Sequence, residues 1–147
     1  MRRRLGLLLI LLGSMASSRA DCWQQTAQRF AVSARLLQAI AQVESGGRSE
    51  VWHRNHDGSI DRGLMQVNSR WWPRLMRAGI QPNDLFDACV CIHVGAWILA
   101  QAIAHTGARW AAVGVYHGGS QDERRRYIAR VYRAWRHGSP QVLSSSE

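Results

Sequence analysis

Apolar residues at Leu36, Leu37, Ile40 and Ala41 recur at the spacing of one helical face, and the next position on that stripe is Glu44. Ser33 stands before the run as an N-cap and Gly46-Gly47 closes it. The segment is therefore a helix with fixed ends whose apolar side must be covered by other elements. A carboxylate that ends such a stripe has two readings. In one, the last turn is exposed and Glu44 points into water. In the other, Glu44 enters a partly apolar cleft, where desolvation disfavours its charged form and raises its pKa, as a general acid near neutral pH requires.

The rest of the chain is punctuated in the same way. Helices are predicted over Asp21 to Phe30, Ser69 to Arg77, Ala88 to His105 and Arg109 to Tyr116, with breaks at Gly79, Pro82 and Gly118-Gly119. Ser120-Gln121-Asp122-Glu123 is a capping box that opens a last helix with Tyr127, Ile128, Val131, Tyr132 and Trp135 on one apolar face. Arg48 to Val67 is different. It lacks helical periodicity, holds the turn signal Asp57-Gly58 and offers β-like pieces around Val51-Trp52 and Ile60, so a small hairpin or irregular β lobe is expected there. The fold class that follows is mostly α (α+β), one compact helical domain over residues 21–137 with a β lobe after the second helix; a chain of 147 residues is long enough for one such core.

The termini stand apart. "MRRRLGLLLILLGSMASSRA" joins three arginines, a short apolar run and small residues, the layout of a secretory signal cleaved after Ala20; an uncleaved anchor is the alternative. The run is too short for a comfortable membrane span, and no later segment reads as long and apolar enough to cross one. Residues 138–147, ending in "SPQVLSSSE", read as a disordered tail. Removing residues 1–20 takes away four arginines and no acid, so the net charge falls from +9 to +5. The chain has no lysine, which excludes lysine Schiff-base or nucleophile chemistry. A basic exported protein suits an anionic partner: cell-wall polymer, membrane surface or nucleic acid. Of Cys22, Cys89 and Cys91, export favours a disulfide between two and leaves one over. A bridge from Cys22 would tie down the N-terminus and stabilise by roughly 4 kcal/mol on the chain-entropy argument. No Cys–His signature supports a catalytic thiol.

Three stretches then fall in an order that carries a resemblance. "AIAQVESGG", "GLMQVN" and "AAVGVYHGG" resemble the ordered signature of the lysozyme-like (SLT-type) lytic transglycosylases, across about Cys22 to Trp135. The small exported form is similar to members that accompany type III and type IV secretion, conjugation and pilus machines. The resemblance implies a lytic transglycosylase acting on peptidoglycan glycan strands in the periplasm, as a monomer without cofactor or metal. It also implies that a component of such an apparatus is a partner and that nucleic acid is not. Glu44 would be the catalytic acid/base. Ser45 would orient Glu44 or contact sugar, Met65, Gln66 and Asn68 would line sugar subsites, and Gly63 would let backbone approach the glycan. Tyr116 would reach the acid/base or the sugar through its hydroxyl. Similar members pair cysteines at the positions of Cys22 and Cys89, which leaves Cys91 as an unpaired thiol. His117 stands where the family pattern has Asn, a departure that bears on the local hydrogen bonding.

Asp61 lies seventeen residues after Glu44, the separation between lysozyme's acid and its second carboxylate. It is either a catalytic or electrostatic group of the cleft or an exposed loop residue beside Arg62. Were it to face the cleft, lysozyme-type hydrolysis would be the nearest alternative reaction. His53, His56 and Asp57 match neither a zinc nor a calcium spacing, and no G-x-S-x-G elbow occurs. Trp52 is the tryptophan best placed in sequence to stack on a sugar, the others reading as packing residues. The six arginines from Arg124 to Arg136 give the rival of another class, a non-catalytic peptidoglycan-binding or apparatus-docking module. A pure binding module has no reason to keep an acid at Glu44.

Overall fold

The computed structural model describes residues 19–138. In chain order these form α1 (Arg19–Phe30), α2 (Ala34–Ser45), β1 (Trp52–Arg54), β2 (Ile60–Arg62), β3 (Val67–Asn68), α3 (Trp72–Arg77), α4 (Ala88–Thr106), α5 (Arg109–His117) and α6 (Gln121–His137). Single 3-10 segments at Ser69–Trp71 and Pro82–Phe86 flank α3. The predicted cleavage site after Ala20 falls in the first turn of α1. The apolar run of the signal and the tail beyond Gly138 lie outside the described residues.

Side-chain caps set the helix boundaries. Ser33 Oγ accepts the Leu36 N–H at 3.2 Å to start α2, and Gly46, at φ 64°, turns the chain out of it. Ser120 and Glu123 bond each other's backbone N–H at the start of α6. Asp87 Oδ1 accepts the Val90 N–H at 2.9 Å to open α4. The other helices are arranged around α4. Its Ile92, Ala96 and Leu99 are buried with Leu36, Leu37 and Ile40 of α2, Val113 of α5 and Val131 of α6 in one core. Each buried Val, Leu or Ile side chain among them contributes about 1.5–3 kcal/mol of transfer free energy. By length and composition α4 is able to cross a membrane, contrary to the expectation that no segment after the signal would be. Its apolar residues are so continuous because it packs against helices on more than one side, α1 and α5 above all.

The Cys22–Cys89 disulfide joins α1 to the first turn of α4, with the Cα atoms 5.6 Å apart across 67 residues of sequence. Cys91, two residues on, is unpaired and buried. Burial pushes its thiol up to about 12, which removes it from thiolate chemistry.

The β lobe is a three-stranded antiparallel meander in the order β1-β2-β3, rather than a hairpin. Asp61 pairs with His53 on one side and Asn68 on the other. The third strand has only two residues, too few for an alternating pattern to show in sequence. The loop from β2 to β3 packs down onto α4. Gly63 has φ 78°, and a β-carbon there would overlap the Leu85 carbonyl oxygen and come within 2.8 Å of Cys91 Sγ. Gly63 is therefore required by packing inside the protein, which replaces the expectation that it admits a glycan. Gly63→Ala combines a left-handed backbone with a clash against main chain. It is expected to destabilise the protein by about 3 kcal/mol, read as a lower urea midpoint at unchanged slope.

Candidate active site

The cleft between the helices and the β lobe encloses about 670 Å³. Asp61, Gln66 and Asn68 lie on its β-lobe wall, Ile98, Gln101 and His105 of α4 on another, Tyr116 and His117 of α5 on a third, and Glu44 completes it from the end of α2. Five of the residues singled out in the sequence thus share one cavity: Glu44, Asp61, Gln66, Asn68 and Tyr116.

Glu44 is the residue before the last of α2, where the helix still carries it inward but its neighbours have given way to the cleft. The Tyr127 hydroxyl, on α6, donates to Glu44 Oε1 at 2.5 Å. Burial raises the carboxyl pKa to about 7, the bond from Tyr127 opposes that rise, the charge of Asp61 adds to it, and Arg130 opposes it more weakly. With Oε1 occupied by Tyr127, Oε2 is the oxygen left to carry a transferable proton. Tyr127 itself is only 1 % exposed. Its ring is covered by His117, stacked at 4.3 Å between centroids with planes 9° apart, and the Arg130 guanidinium lies 5.6 Å from its centroid. Burial, with the Arg130 charge, holds the His117 imidazole below its ordinary pKa, which favours the neutral ring. His117 therefore lays a flat ring on the tyrosine that holds Glu44.

Asp61 is built into the sheet by amides. Asn55 Nδ2 donates to Oδ2 at 2.8 Å and Asn68 Nδ2 to Oδ1 at 2.7 Å. Both amides also reach Ser59 Oγ at 3.0 Å, and Ser59 in turn donates to Asp57 Oδ1. The carboxylate faces the cleft from a fixed position, as a β residue flanked by partner strands. Gln66, at φ 47°, donates from Nε2 to the carbonyls of Gly63 and Val51, so its amide nitrogen holds the loop.

Three expected sugar contacts are structural instead, and a fourth lies away from the cleft. Ser45 is buried, and its Oγ–H lies within bonding distance of the Ala41 and Leu64 carbonyls at 3.1 and 2.8 Å, so it neither orients Glu44 nor meets sugar. Met65 is 0 % exposed and packs on Gly95 of α4, whose missing β-carbon makes the room. Gly63 serves the packing already described. Trp52 is 59 % exposed on β1 and does not line the cleft; Trp71, read from sequence as a packing residue, does. Tyr116 lines the cleft, but its hydroxyl donates to the Met65 carbonyl at 2.7 Å rather than to the acid. The tyrosine that reaches Glu44 is Tyr127, which the sequence presents only as one apolar position on the last helix. No short-range signal could distinguish it, because the partner lies 83 residues away. Among the described residues no group of three or more His, Cys, Asp or Glu is placed to hold a metal.

A helical domain with a small antiparallel lobe, and a desolvated carboxyl held by a tyrosine at the cleft between them, defines a lysozyme-like, glycan-cleaving class of protein. The model of the Transglycosylase SLT domain matches residues 21–135, and the chain belongs to that family. It is a lytic transglycosylase, of a class whose substrate is peptidoglycan. The chain is 38 % identical over 135 residues to Invasion protein IagB of Salmonella typhi, covering 88 % of this chain and 84 % of that protein. It is 34 % identical over 122 residues to Protein IpgF of Shigella flexneri, covering 80 % of each. A Peptidoglycan-binding-like protein of Escherichia coli O157:H7 is 31 % identical over 137 residues, covering 85 % of this chain and 82 % of that one.

The bond from Tyr127 lowers the pKa of Glu44, so removing it lets burial act unopposed. If the protonated carboxyl is the working form, Tyr127→Phe moves the alkaline limb of the kcat/KM profile upward from its wild-type position near 7, by up to about one unit. The loss of positioning lowers kcat by about tenfold at the same time. A pH–rate series on soluble glycan strands measures both.

Proposed function

We propose that the protein cleaves the β-1,4 bond between N-acetylmuramic acid and N-acetylglucosamine and closes a 1,6-anhydro ring on the muramoyl residue. The observation that carries this reading is Glu44 itself, a carboxyl raised to about 7 by burial, held through one oxygen by Tyr127, at the wall of a cleft large enough for sugar rings. As acid, Glu44 gives its proton to the glycosidic oxygen while the bond from that oxygen to the muramoyl C1 breaks. As base, the resulting carboxylate takes the proton of the muramoyl 6-hydroxyl, whose oxygen forms the new bond to C1. The proton returns to Glu44 and no water is consumed. One carboxyl fills both roles in turn, as the acid/base of a retaining glycosidase does.

Asp61 acts in this reading as a fixed charge rather than a nucleophile. Each of its oxygens already accepts an amide N–H, so the group is oriented without reorganisation and stabilises the positive charge that develops at C1. Gln66, Asn68 and Tyr116 shape the sugar subsites from the two sides of the cleft, and Trp71 offers the stacking surface first sought in Trp52. Export through residues 1–20 and action in the periplasm complete the reading. We place the task at an envelope-spanning secretion apparatus, where local cleavage would open the wall; a Salmonella relative carries the name of an invasion protein.

Digestion of purified peptidoglycan followed by mass spectrometry tests the reaction. Wild-type protein is expected to release anhydro-muropeptides, each one water lighter than the hydrolytic product. Glu44→Gln is expected to release none above background. Reducing-end products would instead establish a lysozyme-type hydrolase. Asp61→Asn keeps the shape of its network but removes the charge. It should lower kcat by about tenfold or more without changing product mass, and an unchanged kcat would remove Asp61 from the mechanism.

A further inference from the structure

A second groove runs along α6 on the far side of His117. It encloses about 410 Å³ and is lined by His117, Glu123, Ala129, Arg126, Arg130 and Arg133. The three arginines follow helical spacing, so they stand in a row along one face of α6 over seven residue steps, about 10 Å. Glu123, the one acid in the groove, is engaged at the helix start, where its Oε2 accepts the N–H and the hydroxyl of Ser120 at 2.7 Å each. Three guanidinium groups against one committed carboxylate leave the groove positive. Arg130 also reaches the catalytic side, because its charge acts on Glu44 and its guanidinium sits over Tyr127. His117 lines both cavities, so a substituent on a sugar beside Glu44 has a short path into the groove.

We propose that this groove binds the acidic peptide carried on the lactyl group of the substrate's N-acetylmuramic acid. The proposal rests on the reading of the main cleft as a peptidoglycan site. Its own support is the match of charge and length: the stem peptide bears free carboxylates, and a row of about 10 Å corresponds to roughly three extended residues. Guanidinium groups suit this ligand, since each pairs a carboxylate through two parallel N–H bonds. The groove thereby directs the enzyme to peptide-bearing strands over bare glycan.

The test uses the disaccharide GlcNAc–MurNAc, which lacks the scissile bond, with and without its stem peptide, titrated into the protein and followed by NMR or calorimetry. Wild-type protein is expected to bind the peptide form about tenfold more tightly, and Arg126→Gln/Arg133→Gln to lose most of that preference, because each exposed ion pair supplies a few-fold at most. Arg126→Lys/Arg133→Lys, which keeps the charge and loses the fork, should retain part of it. In turnover, the Gln variant should raise KM on peptide-bearing strands while kcat stays within about twofold, with amidase-stripped strands as the control. Equal binding of the two disaccharides by wild-type protein overturns the proposal, as a groove made for an acidic protein partner would give that result. So does a preference that survives in the Gln variant. Failure of the transglycosylase reading looks different: neither strand type yields anhydro products, while the binding comparison still decides the groove.

Discussion

The site depends on one carboxyl group held out of water at the seam between two parts of the molecule. Glu44 ends the buried face of α2, and burial there raises its pKa to about 7 even though Tyr127 and Arg130 pull the other way. A protonated carboxyl near neutral pH is the product of that balance. Complete burial without a donor would raise the pKa further and leave an acid too weak to give up its proton in the first half of a reaction. Free hydration would leave a carboxylate with no proton to give. The hydroxyl of Tyr127 fixes which oxygen keeps the proton, and the stacked ring of His117 keeps water from that tyrosine.

The position of the cleft depends on the loop between β2 and β3, which is pinned to the helices from three directions. Ser45 Oγ reaches the Leu64 carbonyl, the Tyr116 hydroxyl donates to the Met65 carbonyl, and the Met65 N–H donates to Cys91 Sγ at 3.3 Å. Gly63 lets the main chain come down onto Leu85 and Cys91. Arg62 adds a clamp on the outer side, with its guanidinium between the rings of Trp72 and Phe86 at 4.8 and 5.0 Å and a bond to Asn83. Residues that resemble sugar contacts in sequence thus serve mainly to hold the lobe that carries Asp61 against the helix that carries Glu44. Rigid support of this kind matters because small displacements of a catalytic group cost large factors in rate.

Charge is divided in the same economical way. The acids near the cleft are each built into local structure: Asp61 between amides, Asp57 in the turn before β2, Glu123 in the cap of α6. The arginines of α6 are mostly left outward, with one of them, Arg130, close enough to the tyrosine to act on the acid. The outer face of α6 is therefore both the solvated side of a core helix and an electrostatic neighbour of the site.

Local sequence determined a great deal here. Ser33, Gly46 and the Ser120–Glu123 pair mark helix ends by hydrogen bonds made within a few residues, so the helices are legible from the chain alone. The interrupted stripe marked Glu44 as a carboxyl that enters the cleft rather than the core, since an apolar period broken by a carboxylate is a local conflict and such conflicts gather at functional sites. Only the tertiary structure decided what surrounds that acid. Tyr127 meets it across 83 residues, Tyr116 turns instead to a carbonyl 51 residues away, and Trp71 rather than Trp52 lines the cleft. The two-residue β3 and the inward face of Met65 were likewise settled by contacts with α4 and the neighbouring strand. Periodicity tells which side of a helix or strand is buried; it carries no information about which distant side chain waits on the other side, because that is fixed by how whole elements pack.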